Sequence, residues 1–352
     1  MRIVFGHELF PPDVAGGGEK LVFKLTKWLA SRGHSIKVVT SGDPKMKGYD
    51  GLRTVRVPVN RYLMNVAGLP AMIEHGRDAD VIQASSGNMC WPSYVAARLA
   101  GKPVCCWVHH IFGSYWRDIR GPVFGRLFEA VERLVLTRGF DAYVFQNESS
   151  KRLGVGMGID RRKMRTITPG VDLKVFSTSA AVKRDRSVLF VGSIVMDEPA
   201  IRTKGLRYVL EAARIMPDVT FNILGEFARK MKHTPNVRWL GAVNQRGLAA
   251  AYRRAGVVVC ASLNEGFGLA VLEAMACGCP IVSTVDIGQS GPKVKPKDPR
   301  ALAHAIRSYL RNRRKAAADG RKNARLARRH TWDNFYASFE KLYMDLNKHR
   351  SK

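Results

Sequence analysis

Short apolar runs recur along the chain, separated by polar or glycine-rich breaks, and helical periodicity fills many of those breaks. Residues 2–40 set the pattern with "RIVFG", the loop "HELFPPDVAGGG", the periodic stretch "EKLVFKLTKWLASRGH" and a second run "SIKVVT". Leu21, Val22, Leu25, Trp28 and Leu29 share one helical face, and Gly33 stops the helix. The stretch reads as strand, glycine loop, helix and strand. Further strands are expected at "TVRVPV", "DVIQAS", "PVCCWVHH" and "AYVFQN", the alternation of a parallel sheet buried on both faces. After the polar connector "TPGVDLKVFSTSAAVKRDR" the alternation restarts with "SVLFVGS", "VTFNILG", "VRWLG", "GVVVCAS" and "PIVST".

The expected architecture is α/β, with two doubly wound Rossmann-like domains. Residues 1–172 form the amino-terminal domain, 173–186 the linker and 187–330 the carboxy-terminal domain. Residues 331–352 form an amphipathic helix expected to return to the first domain. Two such sheets facing each other leave a cleft at the carboxyl ends of their strands, where ligands of doubly wound folds bind.

At 352 residues the chain is long enough for two cores, and 46% hydrophobic with 25% charged residues is an ordinary globular composition that excludes a disordered or collagenous chain. The charge is not ordinary. Lys and Arg number 58 against 29 acidic residues, a net charge of +29, so polyanions are attracted: nucleic acid, an anionic membrane or a phosphorylated ligand. The six cysteines sit in apolar segments without zinc or disulfide spacing and read as reduced and buried, placing the chain in the cytoplasm. No apolar run approaches the roughly 18 residues needed to span a bilayer, so any membrane contact is peripheral, on the cytoplasmic face.

Chemistry concentrates in "ASLNEGFGLAVLEAMACGCPIVST", residues 261–284. It reads as the end of a strand, a loop and a helix whose amino end points at the cleft. Backbone N–H groups of Phe267, Gly268 and Leu269, with the helix dipole behind them, make an anion site. Glu265 and Glu273 flank it. Carboxylates beside a phosphate repel it, so their partners are hydroxyls, as on a sugar or ribose.

This segment resembles the glutamate-x7-glutamate motif of retaining glycosyltransferases of the GT-B fold, the large family-4 group. The resemblance implies that Glu265 contacts the transferred sugar and Glu273 the ribose of a nucleotide-sugar donor. It extends over most of the chain. "VAGGGEKLVFKLTKW" is similar to the family's amino-terminal glycine loop, where Gly16 and Gly17 let the backbone approach the donor diphosphate; Gly18 leaves the register open. "PVCCWVHH" is similar to the strand that ends in an active-site histidine, here His109. "VLFVGSIVMDEPAIRTKG" resembles the strand and Lys-Gly turn where basic side chains grip the diphosphate. Lys204 matches the family lysine. Ser193 stands where an arginine is usual, with Arg202 as its substitute. The loop "VDIGQSGPKVKPKDP" is shorter than the family's and lacks its usual glutamate, so contacts there do not carry over.

The resemblance implies transfer of a hexose to a glycan or lipid-linked acceptor in glycoconjugate or cell-surface polysaccharide synthesis, with retention of configuration. The leaving diphosphate takes the acceptor proton and no metal or other cofactor is required. Lys204, Arg202 and the helix amides hold the diphosphate, while Glu265 and His109 orient the sugar. The Asp-x-Asp from Asp78 to Asp80 reads as a helix stop and a strand-edge acid. "HHIFGSYWRDIRGPVFGRLFEAVERLVLTRG" interleaves aromatics with arginines and suits docking on an anionic membrane surface. Two other readings stand: a nucleotide-sugar epimerase of the same fold, and a basic nucleic-acid-binding protein. The latter is disfavoured because it gives no reason for the Glu265 and Glu273 segment.

Overall fold

In the computed structural model the first apolar run forms β1 (Arg2–Gly6), buried from Ile3 onward. The structure describes residues 1–13, 17–196, 202–227 and 231–348, which divide into two units. Unit one holds residues 1–114, 126–168 and 333–352, and unit two holds 115–125 and 169–332.

Unit one is built on β1, β2 (Ser35–Ser41), β3 (Gly48–Tyr49), β4 (Leu52–Val57), β5 (Val81–Ser85), β6 (Val104–Val108), β7 (Ala142–Phe145) and β8 (Met164–Thr166). Their order across the sheet is β3-β4-β2-β1-β5-β6-β7-β8, parallel except for the β3–β4 pair. Every residue of β5, β6 and β7 is buried, because helices cover both faces. α1 (Gly17–Ser31) buries Leu21, Val22, Leu25 and Leu29, and Gly33 follows it at φ 82°.

Trp28 is only half-buried and stacks on Tyr336 at 5.3 Å. That residue belongs to the last helix, Trp332–Lys348, which packs on unit one from Asp333 onward. Phe339 lies 4.7 Å from Trp107, His34 Nε2 lies 2.9 Å from Glu340, and the Tyr343 hydroxyl donates to Gln83 Oε1 at 2.7 Å. Gln83 is a polar side chain in the centre of a buried strand, and this bond satisfies it.

Unit two holds β9 (Ser187–Met196), β10 (Thr220–Phe227), β11 (Val237–Gly241), β12 (Val257–Cys260) and β13 (Ile281–Ser283) in the order β11-β10-β9-β12-β13, with every pairing parallel. Alternate residues feed two cores: Val188, Phe190 and Phe221 on one face, Leu189, Leu224 and Val258 on the other. The expected first domain, 1–172, contains residues 115–125, yet these group with unit two. Lys297 Nζ donates to both carboxylate oxygens of Asp118 at 2.7 Å and sits 5.6 Å from the Tyr115 ring. All six cysteines are free thiols.

Candidate active site

In unit two the chain runs from β9 outward to β10 on one side, and from β12 outward to β13 on the other. β9 and β12 are themselves neighbours. Strand order therefore reverses between them, and a crevice opens at their carboxyl ends. The two loops that leave these strands are joined. Leu263 N–H donates to Thr203 O at 2.8 Å, and Gly205, at φ 69°, packs so closely that a Cβ there would lie 2.0 Å from Ala261 O. Only glycine fits. Lys204 is held between these contacts.

Lys204 Nζ donates to Glu265 Oε1 at 2.5 Å, and Ser262 Oγ donates to the same oxygen at 2.7 Å. The Glu265 side chain is 9% exposed and that of Lys204 29%. Burial pulls the Lys204 pKa down, but the carboxylate opposite outweighs burial and the net direction is upward, so Lys204 keeps its proton. Gly268 follows in the left-handed region at φ 89° and opens the helix Leu269–Ala276 with no side-chain cap. The helix therefore starts, without a side-chain cap, beside the crevice lined by Lys204, Ser262, Glu265, Gly268 and Ala270. Phe267 is buried in the core. Glu273, one turn into the helix, accepts a 3.4 Å bond from the hydroxyl of fully buried Tyr252.

The structure thus brings Lys204, Glu265, Gly268 and Leu269 together and puts Glu273 on the helix that Leu269 begins. Arg202 is exposed, with its guanidinium 3.5 Å from Asp118 O.

Unit one reverses its strand order between β1 and β5. His7 follows β1, Ser85 ends β5 and His109 follows β6. His109 is buried; its N–H donates to Ser86 Oγ at 2.8 Å, its Nδ1 lies 3.4 Å from Gln146 Nε2, and its ring lies 4.6 Å from Trp107. His7 is buried too, with ring centroids 5.4 Å apart. Burial and then the Arg61 charge push the His7 pKa down to about 4, and burial holds His109 well below the usual imidazole value. Both rings are neutral at pH 7. Both nitrogens of His7, Nε2 of His109, Ser85 Oγ and Thr40 Oγ1 lack a hydrogen-bond partner. These buried polar atoms lie at the carboxyl ends of the adjacent strands β1, β2, β5 and β6, a concentration unusual for buried groups.

Gly16 lies outside the described residues. Gly17 is exposed at the start of α1, while Gly18 is the glycine against the histidine, its Cβ position 3.7 Å from His109 Nδ1. His110 points the other way and stacks on Phe112 at 5.4 Å. Asp80 accepts from Arg2 N at 2.7 Å at the strand edge. Among the described residues, no three His, Cys, Asp or Glu side chains gather as metal ligands. His7, Ser85, Ser262 and Tyr252 escape sequence reasoning. For His7 the usable signal was its position directly after the first apolar run.

Residues 15–175 match the family described as Glycosyltransferase Family 4, and residues 185–312 the family described as Glycosyl transferases group 1. The chain is a glycosyltransferase that carries these two domains in succession. This glycosyltransferase is 27% identical over 374 residues to phosphatidyl-myo-inositol mannosyltransferase of Mycobacterium tuberculosis (strain ATCC 25618 / H37Rv), covering 94% of this chain and 93% of that one. It is 25% identical over 403 residues to D-inositol 3-phosphate glycosyltransferase of Corynebacterium urealyticum, covering 94% and 91%. In fold it is similar to sucrose-phosphate synthase from Thermosynechococcus elongatus, with a TM-score of 0.79 at 20% identity over 98% of each chain. An Anabaena protein crystallised with UDP and glucose gives 0.73 at 18% identity, covering 98% of this chain and all of that one. Among the described residues of the glycosyltransferase, no helix is long and apolar enough to cross a membrane.

Proposed function

We propose that this glycosyltransferase moves a hexose from a nucleotide-diphosphate sugar to a glycan or lipid-linked acceptor, with retention of configuration and without a metal. The observation that carries the reading is the Lys204–Glu265 pair beside an uncapped helix start, at the strand-order reversal of unit two. A protonated lysine and first-turn amides suit a diphosphate; a carboxylate released from that lysine suits sugar hydroxyls. On this reading the arriving diphosphate draws Lys204 away from Glu265, and Glu265 then accepts a sugar hydroxyl. Glu273, oriented by Tyr252, accepts the ribose hydroxyls. The leaving diphosphate takes the acceptor proton, so the protein supplies charge stabilisation and alignment. In unit one the neutral His109 and His7 suit an uncharged, hydroxyl-bearing acceptor group. Relatives named for inositol acceptors, and a structural neighbour crystallised with UDP and glucose, support donor and acceptor classes of this kind.

A thermal-shift panel of UDP, GDP and their hexose conjugates tests the donor half, because a ligand bound only by the folded state raises the melting temperature. One nucleotide sugar should stabilise the chain with EDTA present as well as without it. If no nucleoside diphosphate does, the reading fails. Anomeric assignment of the product by NMR tests retention and separates transfer from epimerisation.

A further inference from the structure

The helix Pro122–Leu136 buries Leu136 and packs Val135 against the core, yet most of its apolar side chains face outward. Glu132 points inward and accepts the backbone N–H groups of Phe112 and Gly113 at 3.0 and 2.8 Å, tying down the loop after β6. Leu127, Val131 and Leu134 point outward and are 58%, 47% and 54% exposed. Val123 and Phe124 extend the stripe along the same helix. Successive spacings of three and four residues put these side chains on one face, the face away from the protein. Exposed Arg126 and Arg133 border it, and Arg138 follows the helix with its guanidinium 5.5 Å from the Trp91 ring. An outward apolar stripe bordered by arginines, on a chain of net charge +29, is matched by a surface that is apolar within and anionic at its rim.

We propose that this helix lies in the headgroup region of an anionic lipid bilayer, with Leu127, Val131 and Leu134 among the acyl chains and Arg126 and Arg133 at the phosphates. The inference deepens the proposed function, since it names the surface on which a lipid-linked acceptor is met, and it rests on that reading for its purpose alone. The aromatics Phe112, Tyr115 and Trp116 are half-buried and lie outside this stripe.

The test is flotation of the full chain with vesicles of phosphatidylcholine alone and with added phosphatidylglycerol. Binding should require the anionic lipid, weaken as salt is raised, and fall about tenfold or more in Leu127→Glu/Leu134→Glu and in Arg126→Gln/Arg133→Gln. All four positions are exposed, so melting temperatures and nucleotide-induced shifts should match the parent. Absence of binding, equal binding to neutral vesicles, or binding unchanged in both variants overturns the proposal. Lipid-free self-association abolished by the leucine variant also overturns it, and assigns the stripe to a second copy of the chain. Vesicle binding is read without turnover, so its failure leaves glycosyl transfer standing, and a failed nucleotide panel leaves vesicle binding intact.

Discussion

Units one and two place chemically opposite groups at the same topological position. Each sheet reverses its strand order once near its centre, and each puts polar side chains at the carboxyl ends of the strands that flank the reversal. In unit two those groups are Lys204 and Glu265, charged and paired. In unit one they are His7 and His109, desolvated and neutral, with both ring nitrogens of His7 and Nε2 of His109 unsatisfied. The shared fold supplies a crevice, and the loops decide its electrostatics. A charged pair suits a charged ligand. Uncharged donors and acceptors suit hydroxyls.

The strongest way to break this comparison is to neutralise the pair. Glu265→Gln should lower kcat by about a hundred- to a thousandfold, as loss of a group that acts on transition-state charge does. Lys204→Met should cost donor affinity as well, and abolish the melting-temperature rise with nucleoside diphosphate. Steady-state kinetics of the two variants and the double variant should show effects that do not add, because the two side chains share one interaction. Additive losses would mean that Lys204 and Glu265 act separately.

A second prediction separates the units by pH. His7 binds a proton at about pH 6.5 when unfolded but only at about pH 4 when folded, so protons favour the unfolded chain between those values. Stability is full above pH 6.5 and falls as pH drops toward 4, by about 3 kcal/mol for this one group. About 2 kcal/mol of that is lost by pH 5. Thermal melts at pH 7.5 and pH 5 should show the loss in the parent and a smaller one in His7→Gln. An equal acid loss in both would sink the assignment of His7 as a buried neutral ring.

The sheets were legible in the sequence for a definite reason. Parallel strands covered on both faces are continuous apolar runs, and each run named from the sequence overlaps an observed strand. β3 is only two residues long, and β8, Met164–Thr166, has one buried residue and no apolar run to announce it. Within the site, Glu265 and Glu273 were legible as a local motif, but the partner of Glu265 lies 61 residues away. That pairing depends on β9 and β12 being neighbours, which no local spacing encodes. His7 fails in the same way, because the ring it meets, that of His109, lies 102 residues away. The helix Pro122–Leu136 shows a subtler limit. Periodicity announces an amphipathic helix but not which side faces the protein, and here most of the apolar side chains face out while Leu136 is buried.

The smallest effect sharpens the picture of unit two. Tyr252 is fully buried, and its hydroxyl meets Glu273 Oε2 at 3.4 Å, at the long end of the hydrogen-bond range. Burial, then the Glu273 carboxylate, raise the tyrosine pKa, so the phenol stays protonated and remains a donor throughout the working pH range. Tyr252→Phe keeps the ring in its core position and removes only that donor. One weak bond to a charged acceptor is worth about 1 kcal/mol, which is about a fivefold change in a binding constant. If Tyr252 does no more than orient Glu273 toward the ribose, the donor KM rises by about that factor and kcat is unchanged. A fall in kcat at constant KM would instead place Glu273 among the groups that act on the reacting sugar, and the division of labour between the two glutamates would have to be redrawn.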